Sequence, residues 1–225
     1  MKKSFFITFL FITLLFATSG FAIAQTIREG YVKYQVSNVT GDGMAAFGLK
    51  GAKQIMYFSK KFTKIVNDMQ NGMAKTDVVI ENKTQKSTLI TSGVALGKNV
   101  VSYGTEDPKG SKKAKFTITY DIKSKKTIIG YECTKAVLKN DDGEIILWIT
   151  DKIAPANSPF FRQFPDLKGF PLEFQVVQTS VRATFTATEV GSKVDKNTFA
   201  IPTKKEGYEQ LTLEEFNAML TKKSQ

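Results

Sequence analysis

Lys115–Ile122 reads KFTITYDI, and its side chains alternate without a break. Phe116, Ile118, Tyr120 and Ile122 fall on one side of an extended chain, and Lys115, Thr117, Thr119 and Asp121 on the other. VRATFTAT at Val181–Thr188 repeats the pattern, with Val181, Ala183, Phe185 and Ala187 opposed to Arg182, Thr184, Thr186 and Thr188. A period of two over both stretches predicts an antiparallel sheet with one face on a core and the other in water.

The same periodicity predicts strands at Arg28–Ser37, Gln54–Ser59, Phe62–Asp68, Thr76–Glu81, Ser87–Thr91, Asn99–Tyr103, Thr127–Lys139, Glu144–Thr150 and Leu172–Thr179. The total is about eleven. Short polar connections separate them at Asn82–Gln85, Lys123–Lys126 and Asn140–Gly143. The last contains Asp142-Gly143, whose residues tolerate the positive φ of a tight hairpin turn, so a meander is the economical topology. Trp148, in the strand after this hairpin, is expected in the core. Asp141, Asp142 and Glu144 lack the spacing of a calcium loop, and GVALGK at Gly93–Lys98 lacks that of a phosphate loop.

Thr212-Leu213-Glu214-Glu215 is a capping box, predicting a terminal helix that lays Leu213, Phe216, Met219 and Leu220 on the sheet. Two segments break the strand pattern. Val39–Lys53 mixes four glycines with Met44, Phe47 and Leu49, and reads as a mobile apolar flap or a short helix. Asp151–Pro171 is a long connection carrying Phe160, Phe161, Phe164 and Phe170. Pro155, Pro159, Pro165 and Pro171 remove amide donors there, so the segment cannot extend a ladder and is expected to cover the apolar side of the sheet. These phenylalanines, with Met44, Phe47 and Leu49, are the candidate ligand-binding residues.

The chain opens with Lys2 and Lys3, an apolar run from Phe5 to Phe16, and Ala22-Ile23-Ala24. That order is the pattern of a cleavable secretory signal over residues 1–24, which leaves a single domain over 25–225, soluble in the periplasm or outer cell envelope. Cys133, the sole cysteine, lies in a predicted strand and is expected to be buried and inert. The chain has no histidine. Imidazole-activated nucleophiles, His-ligated zinc and imidazole-bound haem are thereby excluded, and neither enzymatic activity nor any cofactor or metal is expected.

Loss of Lys2 and Lys3 lowers the net charge from +11 to +9. Arg28, Arg162 and Arg182 are the only arginines, so the charge is mostly lysine, which lacks the bidentate fork for bases and phosphates. Specific nucleic-acid binding is not expected. The lysine groups at Lys60-Lys61-Lys64, Lys109–Lys115, Lys123–Lys126 and Lys204-Lys205 read as solvated turns or as contacts to an anionic envelope surface.

IIGYECTKA at Ile128–Ala136, Trp148-Ile149-Thr150, GFPLEF at Gly169–Phe174 and FAIPTKKEGY at Phe199–Tyr208 resemble exported bacterial proteins of the DUF4412 and GLPGLI families. The resemblance runs from Lys115 onward. It implies the fold of the outer-membrane lipoprotein carriers (LolA- and LolB-like): a curved, incompletely closed antiparallel half-barrel with an apolar concave face partly covered by helices. It implies no catalytic residue. Two functions stand side by side on this reading. One is an envelope carrier for a lipid, acyl chain or other hydrophobic ligand; the other is an envelope structural or interaction protein whose aromatics fill its core.

Overall fold

The computed structural model describes residues 26–69, 72–94, 97–105, 115–140, 143–178 and 181–223. Residues 1–24, expected to be an export signal, and the turn residues Asp141 and Asp142 lie outside them.

Twelve strands form one open sheet: β1 (Gly30–Thr40), β2 (Lys53–Phe58), β3 (Phe62–Met69), β4 (Ala74–Glu81), β5 (Lys86–Ser92), β6 (Asn99–Thr105), β7 (Thr117–Ile128), β8 (Tyr131–Asn140), β9 (Gly143–Thr150), β10 (Phe170–Gln178), β11 (Val181–Gly191) and β12 (Tyr208–Thr212). Their order is β12-β6-β5-β4-β3-β2-β1-β11-β10-β9-β8-β7. Two meanders, β1 to β6 and β7 to β11, join where β11 pairs antiparallel with β1. The α-helices among the described residues are α1 (Gly43–Leu49), α2 (Pro159–Gln163) and α3 (Leu213–Lys223). The architecture is the mainly β, incompletely closed half-barrel expected from the sequence.

It departs from expectation at three places. β12 was not foreseen: it adds to β6 in parallel, so the sheet is mixed rather than purely antiparallel. A parallel neighbour requires a crossover, and residues 192–207 make it over the outer face. There Phe199 stacks on Phe62 at 5.7 Å, and Phe62 and Tyr208 pack against buried Val79, Ile90 and Val101. Second, Lys123–Lys126 is not a connection. β7 runs on to Ile128 through a bulge between Asp121 and Lys125, where the Asp121 carboxylate accepts the amides of Lys123 and Ser124 and the Ser124 hydroxyl. The real turn is Ile129-Gly130, and the bulge leaves Ile122 73% exposed rather than on the core face.

Third, Trp148 is half-buried rather than central. Leu147 and Ile149 take the core positions on β9, while the Trp148 ring lies under the Lys126 ammonium at 5.6 Å. The other forecasts of alternation hold. Val181, Ala183, Phe185 and Ala187 are all buried, and the hairpin forms where expected, although Gly143 pairs with Asn140 as the first residue of β9 and so flanks the turn instead of sitting within it.

The main core lies on the inner face, where Val32, Tyr34, Met56, Phe58, Leu138, Leu147, Phe174 and Phe185 form one cluster. Pro171 falls within a sheet interior because β10 is bulged there: Pro171 faces Ile149 and Glu173 faces Trp148, with Leu172 the extra residue. The Tyr34 hydroxyl donates to the Pro171 carbonyl at 2.8 Å, so the buried phenol is satisfied. α3 starts at the predicted box, with Glu215 accepting the Thr212 amide at 2.7 Å and Thr212 accepting the Glu215 amide at 3.2 Å.

Candidate functional site

Residues 155–167 form a strap across the inner face. Ser158 caps α2 by accepting the Phe160 amide at 3.2 Å, and Pro159 follows at the first helical position, where its missing donor costs nothing. This fixes the direction of the two phenylalanines behind it. The Phe160 ring meets Phe174 edge-on at 4.8 Å and Phe170 at 6.0 Å, and Phe161 also packs against the core. Phe164 is buried against Phe116 at 5.1 Å. Phe170 belongs not to the connection but to β10, where it is fully buried.

The far end of the strap is tied down by polar groups. Thr63 donates its hydroxyl to the Asn157 carbonyl at 3.0 Å, the Asn157 amide donates to the Asn82 carbonyl at 3.0 Å, and Arg162 donates to the Gln85 side chain at 2.9 Å. Asn82 in turn donates to the Ser59 carbonyl at 3.0 Å. The strap therefore bridges from β9 and β10 to the turns joining β2 to β3 and β4 to β5.

Beside the strap the register lines up a row of residues across the sheet. Val32, Met56, Ile65, Val78, Leu89, Ser102 and Leu211 are successive cross-strand partners from β1 through β6 to β12. Val32 and Met56 are buried under the core, and Ser102 is buried near α3, where Gly104 gives room to the Leu213 side chain. Between them Ile65, Val78 and Leu89 are half-exposed. This is an apolar floor with a partly open middle. A polar row borders it through Gln54, Asn67, Thr76 and Thr91, with Gln54 donating to Asn67 at 2.8 Å. The Ser102 hydroxyl is buried and has no hydrogen-bond partner among the described residues.

The strap phenylalanines are thus brought together on the core, whereas of the flap residues Leu49 reaches that core and Phe47 does not. α1 packs on β1 and β11 through buried Ala46 and half-buried Leu49, while Phe47 is 55% exposed. The Met44 side chain lies outside the described residues. Ile65, Val78 and Leu89 were missed as site residues because alternation shows that a strand has two faces, not which is left uncovered. Their signal was present in the alternating runs of β3, β4 and β5, but it needed the register to be seen as one row.

Chemically the inner face is quiet. Burial pushes the Tyr34 phenol well above its usual range and raises the Cys133 thiol to about 11, with the Glu173 carboxylate adding to the latter. Both stay protonated at neutral pH. Among the described residues no three His, Cys, Asp or Glu side chains converge on a metal position. A second concavity of about 250 Å³ lies at the β7 bulge, between Ile122, Tyr120 and Lys168, with the Lys125–Glu132 ion pair on its wall at 2.9 Å. No helix among the described residues is long and apolar enough to cross a membrane.

No family model and no curated protein matches the chain, so the family resemblance of Ile128–Ala136 and Gly169–Phe174 finds no counterpart there. Among solved structures the chain is similar to PNGF-II, with a TM-score of 0.49 and 16% identity over 86% of this chain and 33% of that one. It spans about a third of the length of PNGF-II. It is also similar to a DUF1329 family protein from Desulfovibrio piger ATCC 29098, with a TM-score of 0.24 and 10% identity over 78% of this chain and 91% of that one.

Proposed function

We propose that the protein is an exported, non-catalytic envelope protein that holds the apolar chain of a lipid or other acyl compound on its inner sheet face. The observation that carries this reading is the half-exposed Ile65–Val78–Leu89 row, which runs across the strands between the buried ends of the floor. From Met56 on β2 to Ser102 on β6 the row crosses four strand spacings, about 19 Å, a length suited to an extended acyl chain lying across the strands. The strap and α3 wall the row, and the Ser102 hydroxyl offers a polar contact at one end. Absence of histidine, a protonated thiol and, among the described residues, no cluster of three metal-ligating side chains support a binding role over a catalytic one.

Native mass spectrometry of protein purified from a cell-envelope fraction tests this. Bound lipid is expected, and Val78→Asp with Leu89→Asp should abolish it while the protein keeps its circular dichroism, because both positions are only half-buried. Protein that is persistently empty would defeat the carrier reading. A second reading, an envelope interaction protein with a filled core, draws on the strap itself: Phe160, Phe185 and Tyr34 all lie within 5.4 Å of the Phe174 ring, centroid to centroid, so that part of the concavity is occupied by the chain's own aromatics.

A further inference from the structure

At the end of the sheet opposite the strap, large apolar side chains stand on three neighbouring tips. Phe47 on α1 is 55% exposed, Met69 and Met73 on either side of the β3–β4 turn are 37% and 49% exposed, and Val94 in the β5–β6 connection is 80% exposed. The fold places these tips side by side. Met69 pairs with Ala74 at the end of its hairpin, and Gly48 of α1 faces the Met69 sulfur. The β5–β6 tip is brought in because Gly93 lets that backbone approach Met73: a Cβ there would lie 2.5 Å from the Met73 carbonyl oxygen. Soluble proteins scatter single apolar residues over their surfaces, but a cluster confined to adjoining tips marks a surface that meets something apolar.

We propose that this end docks on an anionic lipid bilayer, with Phe47, Met69, Met73 and Val94 entering the interface. Side chains on separate tips do not make the flat, complementary patch that a rigid protein partner needs, whereas a fluid layer closes around each of them. The charges fit the same partner. Lys50 and Lys53, both just after α1, are exposed and set back from the tips, where ammonium groups reach lipid headgroups; Lys75, second in β4, is exposed too but lies 3.9 Å from the Asp77 carboxylate. Three carboxylates among the described residues lie near this end: exposed Asp42, half-buried Asp68, which accepts the Gly72 amide at 2.7 Å and so shapes its own turn, and buried Asp77, which faces Lys75. Docking does not depend on the lipid-carrying role, since the tips lie outside the floor and would meet a bilayer whether or not the floor is filled.

Flotation of the purified protein with vesicles of phosphatidylglycerol, or of phosphatidylcholine alone, tests the proposal. Binding is expected to be stronger to phosphatidylglycerol. The variant Phe47→Ser/Met73→Ser/Val94→Ser should bind less by about tenfold per side chain. Lys50→Glu with Lys53→Glu should weaken binding to the anionic vesicles by about fivefold or more per lysine. Ile122→Ser, which removes an exposed apolar residue from the β7 bulge, should change nothing. Circular dichroism melts check that each variant is folded. Three results would each overturn the proposal: no flotation of the wild type with either vesicle, flotation of the triple variant equal to wild type, or a lipid-free dimer of the wild type that the triple variant abolishes, which would make the tips a contact between copies.

Discussion

Ile129 holds a backbone conformation that a β-branched side chain resists. It has φ of 43° and is followed by Gly130 at 87°, the two residues of the turn closing β7 onto β8. Positive φ at both central positions matches the twist of a hairpin, and Asn-Gly is the pair that adopts it with least strain. Ile129 is 40% exposed, so little packing offsets that strain. Ile129→Asn is therefore expected to stabilise the protein by about 1 kcal/mol, measured as a higher urea midpoint with unchanged slope. A lower midpoint would show that the isoleucine packs more than its exposure implies. The same turn explains a misreading at residue level. Lys123–Lys126 looks like a turn by polarity, yet Asp121 folds those residues into a bulge, and the chain reverses at an Ile-Gly pair that carries only half of the usual turn signal.

Among the elements, the strap is where sequence and structure meet most closely. The prolines and phenylalanines of Asp151–Pro171 predicted a cover, and the rings of Phe160, Phe161 and Phe164 do lie on the core, with Phe170 beneath them in β10. What the residues could not show is that Asn82, in a turn 75 positions before Asn157, is the strap's anchor. Asn82→Ala keeps the Asn82 carbonyl that accepts from Asn157 but removes the side chain that donates to Ser59 and meets the Thr63 hydroxyl. Stability should fall by about 1–2 kcal/mol, and amides such as those of Phe160, Arg162 and Phe164 should exchange faster with deuterium than those of β1. Uniform acceleration across the strap and β1 would mean that the strap opens only with the whole sheet. Unchanged exchange would mean that the aromatic contacts alone hold it.

At the scale of the whole molecule the open sheet has two edges, β7 and β12, and they are managed differently. β7 carries a bulge and lysines, features that discourage pairing with another chain. β6 would be an edge too if β12 did not cover it, and the crossover leading to β12 also covers Val79, Ile90 and Val101. A chain ending at Gly191 is expected to retain the two meanders but to expose both that cluster and the ladder of β6. It should elute as dimers or aggregates in size-exclusion chromatography, where the full chain does so far less. A truncated form as monodisperse as the full chain would show that β12 is dispensable.

Local alternation was enough to establish from the sequence that this is a mainly β protein, with most of its strands, a capped terminal helix and an aromatic cover, although it put the break between β7 and β8 at Lys123–Lys126 instead of Ile129-Gly130. Those features rest on interactions between residues near in the chain: pleating, capping, and the missing amide donor of proline, which kept Pro155, Pro159 and Pro165 out of the ladder while Pro171 entered β10 only at a bulge. The tertiary structure alone decided the order of the strands, the parallel β12, the outer position of Trp148 and the row of Ile65, Val78 and Leu89. Each depends on which face of which strand is covered by a segment far away in sequence. A single strand shows only that its two faces differ, and the choice between them is made by long-range burial, which no local pattern contains.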